Sequence, residues 1–492
     1  MRQQRSQPHR RCRGAFAIMT APVLVVMVLA TGLALDSALL YNRKVELSGL
    51  ARAAALAAAQ KLDGTREGIA AARAAAAVAA ERYRYRYGVA VDWDDAALSF
   101  STGPSRGGAW LGAGSIADAA GYYYAKVDTG ELGAELGAVQ TGFIQMFSQR
   151  LHTTMVSDSA IAGRDGIRAV PLAVCAMSAQ PASARAAPDL DAELVEFGFR
   201  RGVSYDLMQL NPKGITPARW VINPVIPPGG AGGILNPVIL GPFVCSGTMW
   251  MPRLQGGTVR VSTLNGATPL SGLVDQLNSR FGDYGAGLCH ASGAPPDTNV
   301  FKYRYELKEA PWMSPLEGLR GARKTTERGR LETVADIPPP GSTLSGLNAG
   351  SFGPLWSFAK AVKYASWSAL GEGRSDYDTF APVDWPKLDR EGLSSPNYPN
   401  KGGTPYLPIG STNPPIAAPV DNQHFATQYR RVLYLPLLDC ENGLPSGANT
   451  PATIAGVGKF FMTAPAASDS LVAEFAGAAP PQTIPATVEL YP

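Results

Sequence analysis

The chain is poor in the residues that carry most enzyme chemistry. Its 492 residues include only 4 histidines and 5 cysteines, and no HExxH or CxxC motif occurs. The glycine-rich stretch PPGGAGG lacks the lysine and the Ser or Thr of a phosphate-binding loop. The usual signatures of zinc proteases, thiol redox proteins and P-loop enzymes are therefore missing. We predict no catalytic residue, no cofactor and no metal site.

The chain also carries little net charge once its first residues are set aside. Five arginines stand within the first 13 positions, at Arg2, Arg5, Arg10, Arg11 and Arg13. Without them, 39 of the 44 Lys and Arg residues face 40 Asp and Glu residues. Nucleic-acid-binding proteins present a basic surface, and a near-neutral body gives no support to that class of partner. We expect no nucleic acid.

One long apolar run follows the arginines. Gly14–Leu35 is 22 residues without a charge, enough at about 1.5 Å per residue to cross a hydrocarbon core of about 30 Å. The arginines favour a cytoplasmic N-terminus. A cleaved secretory signal is the alternative, although its apolar region is usually only about 7–15 residues long. We predict a retained single-pass anchor in a bacterial inner membrane, with a periplasmic bulk and with anchor positions Gly14, Pro22, Leu35 and Asp36.

The cysteines lie on both sides of this run. Cys12 stands among the arginines, where a cytoplasmic thiol stays reduced. The other four would face an oxidising compartment, and their even number predicts two disulfides among Cys175, Cys245, Cys289 and Cys440. Four cysteines allow three pairings, and the sequence favours Cys245 with Cys289 only because they are nearest along the chain. Buried free thiols are the alternative.

An alanine-rich segment follows the apolar run. Residues 51–80 contain 16 alanines, and alanine is the best helix former. Small and apolar side chains recur on one face of the predicted helix at Leu40, Leu47, Leu50, Ala54 and Ala57. Such a narrow stripe suits close packing against another helix. The partner is either a second helix of this chain, at about 66–86, or another protein.

The fold class predicted from these patterns is α+β. A single N-terminal transmembrane helix continues into an alanine-rich helix, followed by a pilin-like α+β module and a loop-rich periplasmic region that contains β structure. In the module, Glu131–Leu151 has the apolar spacing of an amphipathic helix. The predicted segments are a basic tip (1–13), a transmembrane helix (14–35), a helical region (36–87), the α+β module (88–185), the loop-rich region (186–425) and a C-terminal β module (426–492).

The segment GAFAIMTAPVLVVMVLATGLALDSALLYNRKVELSGLARAAALAAA resembles the N-terminal signature of TadG-like proteins of the tight-adherence (Flp) pilus assembly system. The matching features lie in the same order, at Gly14, Asp36, Tyr41, Arg43 and Ala53–Ala59. One position departs from the pattern, because Arg52 stands where an Asp usually precedes the alanines. The later blocks PLAVCAM, LNSRFGDY and RRVLYLPLLDC also resemble blocks of longer TadG-like proteins.

The resemblance implies an inner-membrane protein that acts with the pilin-like TadE and TadF proteins in pilus assembly. Those smaller relatives carry a glutamate five residues after a prepilin-peptidase cut. The corresponding position here is Met19, so we predict no processing. Some TadG-like proteins carry a von Willebrand A domain whose metal site begins Asp-x-Ser-x-Ser. No Asp-Ser pair in this chain is followed by a serine two places on, so we predict no such metal site. The expected function is a non-enzymatic, membrane-anchored pilus-assembly component; the alternative is a cell-surface adhesin or an envelope binding protein.

Overall fold

The computed structural model describes most of the chain, with several internal gaps. The described residues are 13–85, 88–146, 152–187, 189–214, 216–226, 230, 233, 235–254, 258–264, 269–302, 322–324, 331–333, 358–384, 388, 405–406 and 417–492. They divide into two compact units. Unit 1 is Met1–Arg164 with Val488–Pro492, and unit 2 is Asp165–Thr487.

The described part of the chain mixes helices and strands. The helices are α1 (Arg13–Ala59), α2 (Arg66–Arg82), α3 (Ala134–Gly137), α4 (Pro237–Ser246), α5 (Val274–Asn278) and α6 (Tyr364–Leu370). The strands are β1 (Leu98–Ser101), β2 (Tyr124–Asp128), β3 (Ala138–Gln140), β4 (Thr153–Met155), β5 (Ser159–Ile167), β6 (Leu172–Cys175), β7 (Ser183–Arg185), β8 (Glu193–Glu196), β9 (Phe199–Arg200), β10 (Ser204–Asp206), β11 (Arg219–Ile222), β12 (Thr258–Thr263), β13 (Ala322–Lys324), β14 (Leu331–Thr333), β15 (Val432–Leu438), β16 (Thr450–Met462), β17 (Val472–Ala478) and β18 (Ala486–Tyr491).

Unit 1 is built on the pair of helices α1 and α2. The turn between them is fixed by Asp63, whose carboxylate accepts hydrogen bonds from the backbone N–H and the hydroxyl of Thr65. Thr65 is in turn the N-cap of α2, because its hydroxyl oxygen accepts the N–H of Gly68 at 3.0 Å. Such caps satisfy backbone donors that the first helical turn leaves free. The two helices meet through small, fully buried side chains, among them Ala51, Ala54, Ala55, Ala58, Ala72 and Ala76.

A four-stranded sheet completes the core of unit 1. Its strand order is β1-β2-β5-β18, and the central residue Val127 pairs with Leu98 on one side and Ala160 on the other. The buried side chains of the sheet belong to the same apolar cluster as the alanines of α1 and α2. Helix α1 is therefore part of the core of unit 1.

Unit 2 contains a sheet of seven strands in the order β10-β17-β16-β12-β11-β6-β15, in which β16 also pairs with β15. Strands β16, β12, β11, β6 and β15 therefore close into a ring. The 13-residue strand β16 makes this possible, since its first residues pair with β12 and its later ones with β15. Alternate side chains from all five ring strands form one apolar cluster that includes Trp220.

The ring closes at a short seam. Strands β6 and β15 pair through only two positions, Leu437 with Val174 and Leu438 with Cys175. A disulfide joins Cys175 to Cys440 beside this seam, with the two Cα atoms 5.7 Å apart. The second disulfide, Cys245–Cys289, joins the last turn of α4 to the segment after α5, again with a Cα separation of 5.7 Å. The expectation of two disulfides is confirmed.

The mixed α+β class and the long N-terminal apolar helix are also confirmed. The amphipathic helix expected over Glu131–Leu151 is wrong for the described residues 131–146, where the chain forms α3, β3 and short helical turns. After Gly137 the chain leaves the helical conformation and pairs as β3 with β4. The apolar spacing therefore comes from separate turns and a strand.

The seam makes a prediction about stability. Replacing both Cys175 and Cys440 with alanine should lower the free energy of unfolding of unit 2 by about 2–4 kcal/mol, because the bond closes a loop of 265 residues. Hydrogen exchange should show the largest loss of protection in β6 and in the end of β15. The matched control removes Cys245 and Cys289, which close 44 residues. Equal loss of protection at the seam in both double variants would contradict this role.

Candidate functional site

Helix α1 presents an apolar surface on every side near its N-terminal end. The six consecutive residues Val23–Val28 are each at least 53% exposed, and six consecutive positions cover the full circumference of a helix. The described span Pro22–Ala59 reaches a mean hydropathy of 2.3, and only 11% of its most apolar window is buried. A soluble core helix would be mostly buried. The helix is long and apolar enough to cross a membrane, and a signal sequence passes the same test.

Asp36 lies immediately after the apolar run Gly14–Leu35 and holds a loop against α1. Its side chain is 3% exposed, and its two carboxylate oxygens accept the backbone N–H groups of Gly142 at 3.2 Å and of Phe143 and Ile144 at 2.7 Å each. Three N–H groups at the start of a helical turn form a good site for a carboxylate. We call residues 142–146 the docking loop.

The docking loop also contacts the turn of α1 that precedes Asp36. The ring of Phe143 lies where a Cβ on Gly32 would be, so any larger residue at position 32 would displace it. Gly32 and Asp36 are one turn apart and share a helix face. The docking loop therefore contacts α1 in two ways. The ring of Phe143 packs on the last part of the apolar run, and the backbone donates hydrogen bonds to Asp36 just beyond it.

Farther along α1, the predicted packing stripe lies within unit 1. Leu47, Leu50 and Ala54 are fully buried, while Leu40 and Ala57 are half-buried. Leu47, Leu50 and Ala54 pack against residues of α2 and neighbouring parts of unit 1. The buried face is wider than the stripe, because the same turns of α1 also bury Ala51, Ala55, Ala58 and Ala59.

The other predicted anchor positions lie along the same helix. Gly14 and Pro22 are within α1, and Leu35 is 56% exposed. Most of the basic tip, including Cys12, lies outside the described residues. The partners of Asp36 could not be predicted from the sequence. The one signal was a carboxylate at the end of an apolar helix, which needs hydrogen-bond donors if it is buried.

The site is suited to mechanical support and offers no arrangement of reactive groups. The contact between the carboxylate of Asp36 and three backbone amides holds the docking loop in place. No acid–base partner takes part in it. Among the described residues, no three His, Cys, Asp or Glu side chains lie close enough to hold a metal ion. The absence of metal and cofactor sites from the whole chain stays a prediction.

Comparison of the chain with protein-family models, with curated proteins and with solved structures found no match. The description of the fold and of the site therefore rests on the geometry of this chain alone.

The contact of Asp36 with the docking loop predicts the effect of removing the carboxylate. Asp36→Ala should lower the free energy of unfolding of unit 1, because three backbone N–H groups lose a charged acceptor. Hydrogen exchange of the amides at 142–144 should accelerate in the full-length protein. Asp36→Asn keeps one acceptor oxygen and should have a smaller effect. The control is Asp92→Ala, an exposed carboxylate; unchanged exchange at 142–144 in Asp36→Ala would count against this contact.

Proposed function

We propose that this chain is a retained, single-pass inner-membrane protein with its basic tip in the cytoplasm and both units in the periplasm. The arginines before the apolar run favour that orientation. The two disulfides suit an oxidising compartment. Retention is supported by Gly32 and Asp36, which contact the docking loop from either side of the end of the apolar run.

The observation that carries the proposal is the continuity of α1. One 47-residue helix contains both the exposed apolar surface and the alanine face at the core of unit 1. A protein that only needs to be held near a membrane can use a flexible linker. Here no linker separates the apolar run from the folded unit, so the position and tilt of the helix in the bilayer fix the orientation of unit 1. Such rigid coupling suits a component that positions other proteins at the membrane.

The finer proposal is a non-enzymatic role in the assembly of a tight-adherence (Flp) pilus, alongside pilin-like subunits. Its support is the resemblance of the N-terminal segment to TadG-like proteins together with the rigid connection between helix and folded unit. The missing glutamate at Met19 fits a component that is not cut by the prepilin peptidase and stays in the membrane. Its partners would then be the inner membrane and other pilus-assembly proteins.

A deletion strain tests this role. Loss of the protein should abolish surface pili, because a fixed membrane component would be missing from the machine. Pili counted by electron microscopy should return with the wild-type chain and with Asp92→Ala. Asp36→Ala, which frees the docking loop from α1, should restore at most a small fraction of them at equal protein level.

Normal pilus numbers in the deletion strain would contradict the assembly role. If those normal pili no longer attach to surfaces, the result would instead favour the adhesin class. Protein levels and membrane fractionation of each variant separate a failure of function from a failure to accumulate.

A further inference from the structure

Unit 2 contains a cavity of about 360 Å³ whose walls are strongly cationic. Four basic side chains line it, and they come from four separate segments of the chain: Arg168, Arg280, Arg430 and Lys459. The other described residues that line it are aromatic, aliphatic or glycine, and no Asp or Glu is among them. Arg168 is exposed and Lys459 is half-buried, so the cavity is open to solvent. We call it the cationic cavity.

Two of these arginines are held by the end of a helix. Arg430 donates to the carbonyl oxygens of Cys245 at 2.8 Å and Ser246 at 2.7 Å, and Arg280 donates to that of Val244 at 2.9 Å. These carbonyls belong to the last turn of α4, which ends at Gly247 in the left-handed conformation, with φ of 73°. A Cβ at that position would lie 3.0 Å from Arg280 Nη2. The glycine therefore lets a guanidinium group approach the helix end.

The helix end does not neutralise this charge. The C-terminus of a helix carries the equivalent of about −0.5 charge, against two guanidinium groups that stay protonated in proteins. Asp297 is the nearby carboxylate that acts on Arg430, but it accepts hydrogen bonds from the backbone N–H of Arg431 and the hydroxyl of Tyr406. None of the ion pairs among the described residues includes a cation of the cavity.

The excess of positive charge is visible at individual groups. Burial and the charge of Arg168 lower the pKa of Arg430 to about 10. Burial, Arg430 and Arg168 together lower the pKa of Arg280 well below its usual value. Arg280 is 1% exposed, and its Nε has no hydrogen-bond partner among the described residues. A buried donor without an acceptor is costly, and a bound anion would remove that cost.

We propose that the cationic cavity binds a phosphate group carried on a larger molecule. Four cations exceed what the two oxygens of a carboxylate require, whereas a phosphate monoester brings three free oxygens and a charge of about −1.5 to −2. Arginine matches phosphate with paired N–H donors. The rings of Phe358, Tyr429 and Tyr434 line the same space and offer a surface for the apolar or ring portion of the ligand. This proposal concerns unit 2 and is independent of the pilus-assembly role.

The test uses the full-length protein in nanodiscs of phosphatidylcholine, titrated calorimetrically with inorganic phosphate and with phenyl phosphate. Both should bind, and phenyl phosphate should bind more tightly because its ring adds contacts with the aromatic wall. Arg168→Ala should weaken binding at least about tenfold, since one charge-assisted contact is lost. Arg168 is exposed, so the substitution should leave the fold intact. Lys459→Met, which keeps the length of the aliphatic stem, should also weaken binding.

Arg106→Ala is the matched control, because Arg106 is an exposed arginine of unit 1 and should leave affinity unchanged. A second titration replaces the soluble phosphates with vesicles that contain phosphatidic acid, whose headgroup is a phosphate monoester. Binding to these vesicles that is lost in Arg168→Ala, without binding of phenyl phosphate, identifies a lipid headgroup as the source of the phosphate. The proposal is overturned if the wild-type chain binds none of these ligands at millimolar concentration, or if Arg168→Ala binds them as the wild type does.

Discussion

The structure of unit 1 depends on one helix, α1, whose N-terminal part has an exposed apolar surface and whose C-terminal part lies in the core. The N-terminal part of α1 exposes Val23–Val28 on all sides, which in water would cost on the order of 1 kcal/mol for each side chain. The C-terminal part buries its alanines against α2 and the sheet. Nothing interrupts the helix between these parts, so a change in either environment acts on both. Asp36 and the docking loop lie at the transition, where the hydrogen bonds of the carboxylate hold the folded unit to the last turn of the apolar run.

In unit 2, buried charges are mostly matched by specific partners, and this contrast defines the cationic cavity. Glu193 is fully buried between Arg185 and Arg200, with N–O distances of 3.1 and 2.8 Å. Arg431 lies between the rings of Phe281 and Phe461, at 4.6 and 4.4 Å from their centroids. Breaking such buried arrangements leaves a charge without compensation, which is strongly destabilising. They therefore fix loops that are distant in sequence. In the cationic cavity, the side chains of Arg280 and Arg430 donate to carbonyl oxygens, which leave an excess of positive charge.

Features that depend on local sequence were the ones that could be predicted. The apolar run and the alanine content predict α1, and the even number of outer cysteines predicts two disulfides. Contacts between distant segments left no such pattern. The pairing of Cys175 with Cys440 follows from the closure of the ring, and the contact of Phe143 with Gly32 follows from the path of a loop. The apolar spacing after Glu131 was misread because turns and a short strand can place apolar residues at the same intervals as a helix. The cationic cavity was missed for the same reason, since its four cations come from four segments.

The central claim is that α1 remains joined to the folded units in the membrane. The most direct measurement is the intact mass of the protein extracted from the membrane fraction of its own cells, after an alkaline wash that removes peripheral proteins. The account predicts one species at the full 51.8 kDa, or lighter only by the initiating methionine, and retained in the washed membranes. In spheroplasts, an added protease should digest both units and leave a small membrane-protected fragment from the N-terminus. A mature protein that begins after Ala34, or one released by the wash, would contradict the account.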